Sequence, residues 1–66
     1  MDISALTDTD TVLLQHLAQG WNGSRIASHL GVRVGGVRED IRRIRRTLGA
    51  TNNTHAVVIA VRAGLI

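Results

Sequence analysis

Six of the eight arginines in this 66-residue chain fall between Val32 and Leu48, in the stretch VRVGGVREDIRRIRRTL. A guanidinium presents a flat fork of donors that matches a phosphate, or the O6 and N7 acceptors of guanine, two bonds at a time. Their placement follows a helix. Val37, Ile41, Ile44 and Leu48 recur at steps of four, three and four and form one apolar stripe, while Arg38, Glu39, Arg42, Arg45 and Arg46 occupy the other side. Such a helix is a solvated surface helix, a membrane-surface helix or a nucleic-acid reader, and what precedes it decides. On the first reading Glu39 pairs with Arg42 or Arg43, and Asp40 with Arg43, each pair contributing roughly 0.2–0.5 kcal/mol.

Other chemistry finds no constellation. The chain has no cysteine, no tyrosine and a single glutamate, and no plausible nucleophile and base pair stands out, so the sequence reads as neither an enzyme nor a cofactor protein. His16, His29 and His55 fall on three different predicted helices without a second ligand at helical spacing, which argues against a metal site. Gly35 and Gly36 lack the lysine and the strand of a phosphate-cradling nucleotide loop.

Composition narrows the scaffold. Without proline, with one aromatic residue (Trp21) and with apolar spacings of three and four, the class is all-α. A chain this short buries only about 60% of its unfolded surface, so dimerisation or a ligand would add needed stability. The formal charge of +3 is unevenly spread, because the first 24 residues hold three aspartates and no arginine. The sequence pI of about 11.5 is raised by the lack of lysine, tyrosine and cysteine, so clustering is the better guide. Exclusive use of arginine fits a GC-rich coding bias and a bacterial or phage source. No signal peptide or eighteen-residue apolar run is present, which reads as a cytoplasmic protein, nucleoid-associated when bound.

Residues 1–5 have no periodicity and are expected to fray. Thr7 with Asp10 forms a short-armed capping box for a helix from about Asp8 to Gln19, with Asp10, Leu13, Leu14, Leu17 and Ala18 inward and Gly20 as a left-handed stop. Asn22 caps a second helix over 23–30, with Ile26, Ala27 and Leu30 inward, and Trp21 stands at staple spacing from Ile26. Gly31, Val32 and Arg33 then turn into the basic helix, about 34–48, with Val32 and Val37 at staple spacing. Two helices joined by a short glycine-containing turn, the second basic, is the helix-turn-helix arrangement. After Gly49, Thr54 or Asn53 caps a last helix that reaches Ala63 and is closed by Gly64. Its stripe is Ala56, Val57, Ala60 and Val61, leaving Val58 and Ile59 for a partner surface.

Taken together, these residues resemble the LuxR-type, or GerE-type, helix-turn-helix family. The opening LTDTD resembles the family's L-T-x-x-E, and LAQGWNGSRIASHLGV resembles L-A-x-G-x-S-N-x-E-I-A-x-x-L-x-[IV]. VREDIRRIRRTLGATNNTHAV resembles V-K-x-H-[LIV]-x-x-I-x-x-K-L-x-[VA]-x-[NS]-R-x-[EQ]-A-[VA], and AVRAGLI resembles A-x-x-x-G-L-[IL]. The alignment over 6–66 needs no gap. It implies one compact four-helix DNA-binding domain over 6–66, a third helix in the major groove of double-stranded DNA and a homodimer through the last helix.

Carried over, Arg38, Glu39 and Arg42 occupy base-reading positions, and Arg46 a phosphate position. Ser24, Arg25, Arg33, Gly35, Gly36 and Arg43 are the further expected phosphate contacts, and His55, Val58, Ile59 and Arg62 the dimer face. Three departures stand out. Arg33 replaces the family's capping serine or threonine. Gly35 and Gly36, each costing roughly 1 kcal/mol against alanine inside a helix, predict a first turn that is loose in the free protein and firms up on DNA. Glu39 and Asp40 put acid where the family carries neutral residues or histidine. Many family members carry a regulatory module ahead of this domain, so the chain reads equally as a stand-alone regulator or an excised domain. The rival reading is a protein-interaction module, an antagonist of a larger regulator or a contact of RNA polymerase, which binds no DNA itself.

Overall fold

Local capping chemistry sets where the helices begin. The computed structural model describes residues 3–66 and holds four α-helices among them: α1 (Asp8–Ala18), α2 (Gly23–Leu30), α3 (Val34–Leu48) and α4 (Asn53–Arg62). Thr7 and Asp10 form the reciprocal box at α1, where Asp10 N–H donates to Thr7 Oγ1 at 3.1 Å and Thr7 N–H donates to Asp10 Oδ2 at 3.0 Å. Asn22 Oδ1 accepts from Arg25 N–H at 2.9 Å and caps α2. Helix α3 starts after Arg33 without a side-chain cap, as its sequence foretells. The cap of α4 is a correction: neither Thr54 nor Asn53 fills it but Asn52, whose Oδ1 accepts from His55 N–H at 2.8 Å. Of the fraying expected over 1–5, Met1 and Asp2 lie outside the described residues, while Ile3–Ala5 form a 3-10 turn beside α3.

The helices also end alike. Trp21, Val32, Ala50 and Leu65 each donate a backbone N–H to the carbonyl five residues earlier, at 2.9–3.2 Å for Trp21, Val32 and Leu65 and 2.8 Å for Ala50. This wrap needs a left-handed residue just before the donor. Gly31 supplies it at φ +69° and Gly49 at φ +67°, a conformation that strains any residue with a Cβ. The turn between α2 and α3 is thereby held to Gly31, Val32 and Arg33.

Helix α3 lies at the centre, with Val37, Ile41, Ile44 and Leu48 all buried. Against this stripe pack Leu13 and Leu14 of α1, Ile26 and Ala27 of α2, and Ala56 and Ala60 of α4. The alanines let α4 approach closely, while at Gly23 of α2 an added Cβ would meet Arg38 Cγ at 3.5 Å, an ordinary van der Waals contact. The result is a compact all-α domain with no strand among the described residues and a radius of gyration of 10.8 Å, close to the roughly 11 Å expected for its length. Among the described residues no helix is long and apolar enough to cross a membrane.

Periodicity misplaced several side chains by part of a turn. Ala18 and Leu30, read as inward, are exposed, and Val61 is 55% exposed although it was placed on the inner stripe of α4. Ile59, read as pointing away, is half-buried and packs against the core, so the exposed aliphatic pair on α4 is Val58 and Val61. Val32 is more than half exposed and forms only a loose staple, sharing an apolar groove with Leu13, Leu30 and Val37.

Candidate functional site

With 3.6 residues per turn, the buried stripe of α3 fixes where every other side chain on it lies. Gly35, Glu39, Arg42 and Arg46 fall on the outermost line, at steps of four, three and four, and all four are exposed. Arg38 and Arg45 stand on the flank toward α2 and α4. Gly36, Asp40 and Arg43 stand on the flank toward α1. Arg38, Arg42 and Arg46 therefore occupy one continuous exposed arc whose underside is covered by the other helices.

The expected phosphate-contact residues do not form one group. Ser24 lies with Arg38 and Arg42 around one cleft, whereas Arg33 and Gly36 line the apolar groove on the other flank with Asp40. Arg25 places its guanidinium carbon 4.0 Å from the centroid of the Trp21 ring, and His16 stacks on the same indole at 4.6 Å with planes 6° apart. His29 meets both rings edge-on, at 5.4 Å from His16 and 5.2 Å from Trp21. Trp21 thus packs against the core while holding Arg25 at the base of α2. Sequence spacing had placed His16 outside the stripe of α1. The tight pairing of a histidine with the chain's one indole was not read from it.

Arg43, one of the expected phosphate contacts, is engaged within the fold. Its Nη1 donates to Asp10 Oδ2 at 2.9 Å and its Nη2 to Asp10 Oδ1 at 2.7 Å, a two-bond clamp between residues 33 apart in the chain. Asp10 is 1% exposed and, among the described residues, is the one charged residue in the core. The Arg43 guanidinium holds the Asp10 carboxyl below its ordinary range, against the opposing effect of burial, with the Thr7 N–H adding to the downward pull. Arg43 is in turn held more firmly protonated by Asp10 and, at 3.6 Å, by Asp40. A signal existed in the sequence: an aspartate within an apolar helical stripe demands a buried partner.

On the outer line Glu39 accepts from Arg42 Nη1, an exposed pair at i, i+3. Pairs of this kind contribute a few tenths of a kcal/mol, roughly 0.2–0.5, and exchange readily for a stronger partner. Among the residues expected on a dimer face, Val58 and Arg62 are exposed on α4, Ile59 is half-buried, and the His55 ring turns back so that its Nδ1 accepts from Thr51 N–H at 3.1 Å. Among the described residues no group of three or more histidine, cysteine or acidic side chains is placed to hold a metal ion. No family model, curated protein sequence or solved structure matches the chain.

Proposed function

We propose that the chain is a sequence-specific, DNA-binding transcriptional regulator of the LuxR-type helix-turn-helix kind, acting as a homodimer. The observation that carries this reading is the exposed arc of Arg38, Arg42 and Arg46 on a helix whose aliphatic side is clamped beneath it. α3 enters the major groove, preceded by α2 and the three-residue turn that set its angle. Arg38, Glu39 and Arg42 read base edges. Arg46, Ser24, Arg25 and the exposed backbone at Gly35 hold phosphates and fix the register. Arg43, clamped by Asp10, orients α3 instead of touching the duplex. α4 pairs with its copy through Val58, Val61 and Arg62.

Two substitutions separate the roles. Arg42→Ala is expected to remove roughly 1–3 kcal/mol of discrimination at one base position, whereas Arg46→Ala weakens all duplexes alike and lowers the salt slope by about 1. The opposite pattern overturns the assignment.

A second reading rests on the groove lined by Leu13, Leu30, Val32 and Val37, away from the arginine arc. Exposed aliphatics there fit a protein partner such as RNA polymerase or a larger regulator. Leu30→Asp abolishes co-purification with that partner while sparing DNA affinity; on the DNA reading alone there is no such partner to lose, and duplex affinity is again unchanged.

A further inference from the structure

Between the first turn of α2, the middle of α3 and the first turn of α4 lies an open cleft of about 300 Å³. Arg38, Arg42 and Arg45 line it from α3, and Gly23, Ser24 and Asn53 from the two helix starts. Three guanidinium groups around one cavity repel one another and concentrate anions there. Among the described residues neither Arg38 nor Arg45 is ion-paired. Arg45 is half-buried, unlike the exposed Arg46 beside it, so its side chain belongs to the cleft and not to the outer line.

Two further features match an anion. The N–H groups of Gly23 and Ser24 have no acceptor within their helix, while that of Arg25 is taken by Asn22 Oδ1 and that of Ile26 by Asn22 O. The Asn53 Oδ1 is buried without a partner. Asn53 nonetheless lines the cleft, and its amide N–H is the donor it offers a phosphate oxygen there.

We infer that this cleft is a phosphate seat in which Arg45 and Asn53, neither of them among the base readers, hold the anion with the first turn of α2. The phosphate is a diester of the duplex backbone, in which case the inference rests on the function proposed above, or the phosphate of a free ligand. Its geometry makes Arg38 and Arg42 rim residues, able to bond the seated phosphate on one side and base edges on the other.

The test uses the whole chain with Arg45→Gln and Asn53→Asp. Glutamine keeps helix propensity, and aspartate in the first turn of α4 favours the helix while placing a negative charge in the cleft. Circular dichroism confirms that both fold. With inorganic phosphate added against sodium chloride at fixed ionic strength, the amide resonances of Gly23, Ser24 and Asn53 shift together and saturate in the wild type, and both variants lose the shift. On duplex DNA each variant lowers the salt slope by about 1 and weakens every sequence alike. Changed slopes support a backbone phosphate. Phosphate shifts that both variants abolish, with unchanged slopes or with no duplex binding by the wild type, support a free phosphate ligand, and absent binding also overturns the DNA reading. Duplex binding with unchanged slopes, and amide shifts that are absent or survive both substitutions, overturns the seat while leaving DNA binding intact.

Discussion

Arg43→Ala tests how the recognition helix is held. The substitution strips two charge-assisted hydrogen bonds, at 2.9 and 2.7 Å, from a carboxylate that is 1% exposed. Breaking a buried ion pair by removing one partner costs roughly 3–5 kcal/mol. The Arg43 side chain is 41% exposed, so water replaces part of what is lost, and a net loss of about 2–3 kcal/mol is expected. A domain of this length has a total stability of about 3–10 kcal/mol, so the melting temperature should fall by roughly 10–20 °C. Acid sharpens the test. Because the folded Asp10 is held below its ordinary value by Arg43, its contribution is full above the unfolded carboxylate range and is lost as pH falls through the folded value. Without Arg43 the chief downward influence is gone and burial pushes the carboxyl up, so Asp10 takes a proton in the fold at little cost. Urea denaturation followed by circular dichroism should show the deficit of the variant largest near pH 7 and shrinking toward pH 4. A variant within about 0.5 kcal/mol of the wild type at pH 7, or a deficit that grows in acid, would refute the clamp.

Other substitutions probe the remaining parts. A Cβ at Gly35 or Gly36 meets nothing within 4 Å, so alanine at either position should raise stability by roughly 0.5–1 kcal/mol, measured by denaturant midpoint. If the glycine backbone at Gly35 approaches a phosphate, Gly35→Ala should weaken duplex binding while it stabilises the fold; unchanged affinity would refute that approach. Asn52→Ala should cost about 1 kcal/mol and loosen α4, whereas Thr54→Ala should leave stability nearly unchanged, because only Asn52 caps the helix. Val61→Asp should leave the monomer folded, since Val61 is 55% exposed, yet abolish dimers in sedimentation velocity; persistence of dimers would move the interface off α4.

Features governed by short-range chemistry were legible in the sequence. Thr7 with Asp10, Asn22, Gly31 and Gly49 announced helix ends that the structure places where they stand. The start of α4 was not legible, because Asn52, Asn53 and Thr54 are all competent caps and the choice depends on where the chain leaves α3. Rotation of the helices about their axes was also hidden. A stripe of Ala56, Val57, Ala60 and Val61 and one that includes Ile59 differ by a fraction of a turn, and packing of the small alanines against the core selects between them. The arginine arc could be read because the apolar stripe beneath it is unambiguous. The Asp10–Arg43 clamp and the cleft around Arg45 join residues far apart in the chain, which periodicity within one helix cannot pair.

Selection from a random duplex pool against the wild-type chain tests the central claim most directly. Two recognition helices held by a paired α4 should enrich a near-palindromic sequence with half-sites one helical turn apart, with an affinity for it that falls steeply and linearly on a log–log plot against salt. A pool that stays random after repeated rounds, with no duplex retained even at low salt, would contradict that claim.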